Sequence, residues 1–234
     1  MAGVQGEQEA RRHFHEELAD LEEDILRAGE LAEGALAGSM QALLERDPEK
    51  AEHVIAGDDE LDAVYLAVER RWLEVMALQT PVASDLRLMS VILHVNFHLE
   101  RVGDMAVNIA KMAQLTRHLP TNGTILSHLE EMADVVRPMI RAAMEAFARR
   151  DLGLALRLPE MDEPVDRLNR GMYLEVAACG QEHALLEWAA AMMVVSRQLE
   201  RVGDHAVDVA EQVAFLLTGE FREFTDASHP DHGD

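Results

Sequence analysis

Pairs of oxygen-bearing side chains four residues apart recur along this 234-residue chain, and they recur in matched sets. Glu100, Asp104 and Asn108 are answered by Glu200, Asp204 and Asp208 at an offset of one hundred (200 − 100). Asp58 and Asp62 are answered by Asp162 and Asp166 at an offset of 104 (162 − 58). On a helix, steps of four place side chains on one face, and a three-rung ladder rises about 12 Å over about two turns. Carboxylates and amides gathered in this way suit hard or borderline cations, so magnesium, manganese, calcium and iron all qualify. A plain wet face is the simpler reading, because 44 acids create such spacings by chance. It does not explain why equivalent rungs are filled in both halves. Nor does it offset the few tenths of a kcal/mol that like charges four apart cost.

The elements that must position these groups can be read around them. HLERVGDMAVNIAK at 98–111 returns as QLERVGDHAVDVAE at 198–211, with LERVGD identical in both. Ile92, Val95, Leu99, Val102, Ala106, Ile109 and Ala113 step by three and four, a seam for a neighbouring helix. The ladder falls outside that seam, which predicts a solvent-side stripe. Asp58/Asp62 and Asp162/Asp166 lie on the preceding helix of each half. If the two helices are neighbours, four carboxylates converge at one groove. Pro164, between Asp162 and Asp166, is expected to bend or start its helix, making the second site the more distorted one.

The apolar rhythm predicts six long helices and no strand. The first runs to about Arg46 on Phe14, Leu18, Leu21, Ile25, Ala28, Ala32 and Ala35. Asp47 and Pro48 are a cap and first-turn proline for the second, which buries Val54, Leu61, Val68 and Val75 and ends near Leu78. Thr80 and Pro81 repeat that device for the third, ending near His118. LPTNGT at 119–124 is a break. The fourth helix spans about 124–150 with a kink at Pro138, Asp151 opens the fifth, and Gly180 separates it from the sixth, which ends around Gly219. The fold class is all-α: two tandem, pseudo-symmetric three-helix bundles. Residues 1–7 are expected to be a disordered start, 8–119 the first repeat, 120–124 the linker, 125–220 the second repeat and 221–234 a disordered tail. The tail's Ser228, His229, Pro230 and His232 read as solvated.

Composition narrows the partners. A formal charge of −23 repels phosphate backbones and anionic lipid, which disfavours nucleic acid and direct membrane adhesion. Cys179 is the sole cysteine, so intrachain disulfides and Cys-rich zinc sites are excluded. No basic leader and no bilayer-length apolar run is present, so the expected compartment is the cytoplasm, with membrane contact only through another protein.

Four further groups have chemistry of their own. Arg101 and Arg201 are expected to bridge Asp104 and Asp204 three residues on, with partner contact as the second reading. Gly103 and Gly203 cost about 1 kcal/mol each inside a helix, and close helix approach is favoured over room for an ion's ligands. His94 and His98 have a zinc spacing, but His94 and His98 have no pair in the second half, so they read as ordinary core or surface histidines. The thirteen methionines read as adaptable core filler.

The doubled E-R-V-G-D, the acidic pairs and QTPVASDLR at 79–87 resemble the PhoU family of phosphate-uptake regulators over nearly the whole chain. The resemblance implies a cytoplasmic regulator, peripheral to the inner membrane through its partners. Those partners would be the phosphate-specific ABC transporter, through its ATPase subunit, and a phosphate-sensing histidine kinase. Together they would repress the phosphate response when phosphate is plentiful. It also implies a homodimer and divalent or trivalent metal ions, among them multinuclear iron clusters, with manganese, magnesium, calcium and zinc open. Carried over by position, the ligands would be Asp58, Asp62, Glu100, Asp104, Asn108, Asp162, Asp166, Glu200, Asp204 and Asp208. The second half has GQEHALLEW where QTPVASDLR would return, so equal occupancy of two sites is not implied. No enzymatic activity is expected. The rivals are a carboxylate-bridged metal enzyme of ferritin-like type, which wants Glu-x-x-His motifs that no histidine here completes, and a metal-free acidic scaffold.

Overall fold

The computed structural model describes residues 2–79, 81–221 and 223–224. Among them run six long helices and one short turn of helix, with no strand: α1 (Ala2–Glu45), α2 (Pro48–Leu78), α3 (Ser84–Thr116), α4 (Gly123–Arg149), α5 (Leu152–Ala155), α6 (Leu158–Ala178) and α7 (His183–Thr218). The apolar positions read from the sequence are the ones that face inward. Ile92, Val95, Leu99, Val102, Ala106, Ile109 and Ala113 are all buried on α3, as are Leu61, Val68 and Val75 on α2.

Helices α1, α2 and α3 pack on one another, and α4, α6 and α7 do the same. The two bundles then join along α3 against α7 and α1 against α4, sharing one continuous apolar core. The helices that carry the ladders are therefore the ones that meet across the middle of the molecule.

Local chemistry sets most boundaries. Asp47 accepts from the Glu49 and Lys50 backbone N–H groups at 2.9 and 3.2 Å, and Asp151 accepts from the Leu154 N–H at 3.0 Å. Asn122 caps α4 in the same way, through Thr124 and Ile125. At the far end, Gly219 closes α7 with φ +74°, a left-handed conformation that glycine adopts without strain.

Four boundaries differ from the reading above. α3 opens at Ser84 rather than Pro81, because the chain reverses through Ala83 at φ +50° before a helix can start; Thr80 lies outside the described residues. The fifth helix is divided into α5 and α6, and Pro159 in the first turn of α6 starts the second piece. Pro164 consequently sits inside a continuous α6 instead of at its start. α1 extends back to Ala2, through residues where a disordered start is expected from the sequence. The beginning of the tail is docked rather than disordered. Phe221 stacks on Phe215 with ring centroids 3.8 Å apart, and the Phe224 N–H donates to Glu211 Oε1 at 2.5 Å. Ser228, His229, Pro230 and His232 lie outside the described residues.

Candidate metal centres

In the first bundle α2 and α3 bring Asp58, Asp62, Glu100 and Asp104 to one edge. Asp58 is half-buried, and its carboxyl is pushed up by burial and then by the charges of Asp62 and Asp104. Glu100 is pushed up for the same reasons: burial first, then Asp104, with Asp62 and Asp58 adding to it. Arg101 runs along the outside, its Nη1 3.0 Å from Asp104 Oδ2 and its Nε 3.2 Å from Glu100 Oε2, while the guanidinium lies over the Phe97 ring. Glu100 Oε2 is nevertheless buried with no donor in hydrogen-bond geometry. Gly103 lets this edge close, since a β-carbon there would run into Leu61 and come to 3.4 Å from Asp58 Oδ1.

The second bundle repeats the edge with Asp162 and Asp166 on α6 and Glu200 and Asp204 on α7. Here Glu200 is only 8% exposed, so this rung leaves the expected solvent-side stripe and enters the α6–α7 contact, while Asp204 stays exposed. Burial raises the Glu200 carboxyl, Asp204 and Asp166 add to the effect, Arg197 opposes it, and the group is pushed up to about 7. Asp204 is raised too, by burial and then Asp166. Arg197 pairs with Glu200 Oε1, and Glu200 Oε2 is buried with no hydrogen-bond partner. At Gly203 the less favoured of the two readings holds, because its missing β-carbon is where the carboxylate of Asp162, a ligand candidate, lies. The glycine makes room for a carboxylate.

The two edges are not copies. Arg101 bridges to Asp104 as its spacing predicts, whereas Arg201 is exposed and makes no such bridge to Asp204 among the described residues, and Arg197, one turn earlier, pairs with Glu200. Arg170 reaches Asp166 Oδ2 at 3.6 Å with no equivalent in the first bundle. Asn108 is exposed one turn beyond Asp104, and no hydrogen bond or ion pair among the described residues joins it to α2.

Would a cation fit these edges? Buried carboxylate oxygens without donors and carboxyls driven toward their protonated form are what a divalent ion relieves. The donor set is oxygen only, which matches hard and borderline ions. As the side chains stand, no three groove oxygens close to within 4.8 Å of one another.

Asp208, the last rung of the second ladder, turns elsewhere. It faces two histidines at the α3–α7 seam, with His98 Nδ1 and His205 Nδ1 at 3.4 and 3.3 Å from Asp208 Oδ2. The two Nδ1 atoms are 3.0 Å apart. Burial pushes His98 down to about 4, against the pull of Asp208. The sequence paired His98 with His94, but His94 is exposed and its Nδ1 meets the Ser90 carbonyl. A signal was available: His205 stands where the first repeat has the buried Met105.

Comparison with known proteins gives a consistent answer. A family model described as "PhoU domain" matches residues 25–113 and again 129–213. A phosphate-specific transport system accessory protein PhoU homolog of Caulobacter vibrioides is 32% identical over 210 residues, covering 89% of this chain and 91% of that one. A homolog of the same description from Clostridium acetobutylicum is 29% identical over 218 residues, with 92% and 99% covered. The crystal structure of PhoU from Pseudomonas aeruginosa superposes with a TM-score of 0.84 at 29% identity, covering 88% of this chain and all of that one.

Proposed function

The chain belongs to the PhoU family, and from that premise we propose that it is an accessory regulator of a phosphate-specific transport system. It acts at the cytoplasmic side of that ABC transporter, with the ATPase subunit as the docking partner, and together with a phosphate-sensing histidine kinase it holds the phosphate response off when phosphate is plentiful. Among the described residues no helix is long and apolar enough to cross a membrane, so contact with the membrane complex runs through those partners. The active form is a homodimer.

The single observation that carries the metal part of this reading is the duplicated edge of four carboxylates, each with a buried glutamate oxygen that has no hydrogen-bond donor. Asp58, Asp62, Glu100 and Asp104 would hold one ion or cluster, and Asp162, Asp166, Glu200 and Asp204 the other, with Asn108 as an outer ligand of the first, while Asp208 faces His98 and His205 instead. A bound ion supplies fixed positive charge. The protein's part is to hold the carboxylates on rigid helices, with Gly103 and Gly203 admitting the α2 and α6 side chains. Neutralising each edge turns a repulsive acidic stripe into a defined docking face, and Arg101 and Arg201 beside it offer cationic contacts to a partner.

The test replaces Glu100 and Asp104 with alanine in a strain that depends on this protein, and reads bound metal by elemental analysis alongside phosphate-responsive transcription. Loss of metal from the first edge with derepressed transcription is expected. Unchanged metal content with normal repression would overturn the reading. Recovery of the ATPase subunit or the kinase in a pull-down from membranes of phosphate-replete cells separates a regulator from a ferritin-like enzyme.

A further inference from the structure

The geometry points to a third cation site of different chemistry, in which His98, His205 and Asp208 hold one divalent transition-metal ion across the seam between the two repeats. Their three ligand atoms form a triangle with sides of 3.0, 3.3 and 3.4 Å. Ligands about 2.0 to 2.1 Å from a tetrahedral zinc ion stand about 3.3 Å from one another. The triangle therefore has the dimensions of one face of such a tetrahedron. It is also the one group among the described residues in which three candidate ligand atoms fall within 4.8 Å of each other.

Proton bookkeeping favours an ion over a plain hydrogen bond. A neutral imidazole carries one N–H and one lone pair. If one Nδ1–H donates to the other Nδ1, the accepting ring turns a lone pair, not a proton, toward the Asp208 carboxylate. If both rings carry Nδ1 protons, two protons face each other across 3.0 Å. A cation at the centre satisfies both lone pairs and the carboxylate together.

The surroundings suit a site that binds and is reached. Both imidazole side chains are 14% exposed, and below them lie Leu99, Val102, Ile140, Met144 and Val209, which fix the rings and keep the floor dry. Asp208 is 41% exposed, so the third ligand faces solvent and leaves a way in for the ion and for a water as fourth ligand. Two nitrogens and one carboxylate select borderline first-row ions, zinc and its neighbours, over the magnesium or calcium that the oxygen-only edges accept. His98 comes from α3 and the other two ligands from α7, so the ion fastens one repeat to the other.

The experiment uses the full-length protein stripped with a chelator, then titrated with zinc in millimolar magnesium, and separately with cobalt as a spectroscopic probe. One zinc equivalent in the micromolar range or tighter, a melting temperature raised by several degrees and visible cobalt d–d absorption of a nitrogen-ligated site are expected. His205→Met is the variant, since methionine fills the equivalent buried position of the first repeat; it should fold and lose at least tenfold in zinc affinity together with the cobalt bands. Wild-type protein without cobalt bands, or a variant that binds zinc as tightly as wild type, would overturn the proposal. The Glu100→Ala/Asp104→Ala protein should keep this site, so failure here and failure of the acidic edges are told apart.

Discussion

At the scale of the residue, Glu200 is the most informative side chain. Its carboxyl is raised to about 7 from 4.5, first by burial and then by Asp204. Between pH 4.5 and about 7 the folded state keeps a proton that the unfolded chain has released, so stability of the metal-free protein falls as pH rises through that window. Glu200→Gln removes the penalty. In the presence of chelator at pH 8 it should melt higher, by about 1 kcal/mol once solvent screening is allowed for, and the gain should vanish near pH 4. Thermal melts at the two pH values check this. The same variant should bind less metal at the second edge, because it trades a ligand charge for a neutral amide.

Elements are fixed by short-range chemistry, and their caps are where that can be measured. Asp47 and Asp151 occupy matching positions before α2 and α5, each following an arginine in the left-handed region, Arg46 at φ +57° and Arg150 at φ +55°. The side-chain oxygen of each satisfies backbone donors that the first turn leaves open. Asp47→Ala should cost about 1 kcal/mol in chemical denaturation and leave the acidic edges unchanged. A drop in metal content as large as that of Glu100→Ala/Asp104→Ala would show instead that the α2 start positions Asp58 and Asp62.

Across the whole molecule, the repeats are held by α3 against α7 and α1 against α4, and each contact has a polar clasp. On the second, Glu33 accepts from Arg141 at 2.5 Å and Arg137 at 3.3 Å, and Arg150 reaches Glu22 at 2.6 Å. The Arg141 hydrogen bond holds the Glu33 carboxyl below its usual range. Its contribution is therefore complete above pH 4.5 and is lost as pH falls through the lowered folded value. Glu33→Gln should cost about 0.5 kcal/mol at pH 7, because Arg141 is exposed, and should narrow the difference in stability between pH 7 and pH 3. Melts of both proteins across that range decide it.

The sequence by itself determined the six long helices, the Asp47 and Asp151 caps, the doubling and which residues carry oxygen, because a 3.6-residue period and a capping carboxylate act within a few positions of themselves. Matched offsets placed a carboxylate pair on each of α2, α3, α6 and α7, but the packing decided that α2 lies beside α3 and α6 beside α7. Only the tertiary structure decided that Glu200 enters a helix contact, that Arg197 pairs with it, and that Gly203 clears space for Asp162. His98 and His205 stand 107 residues apart and meet only because α3 lies against α7. Such proximity is a property of how the two bundles pack, and no local periodicity encodes it.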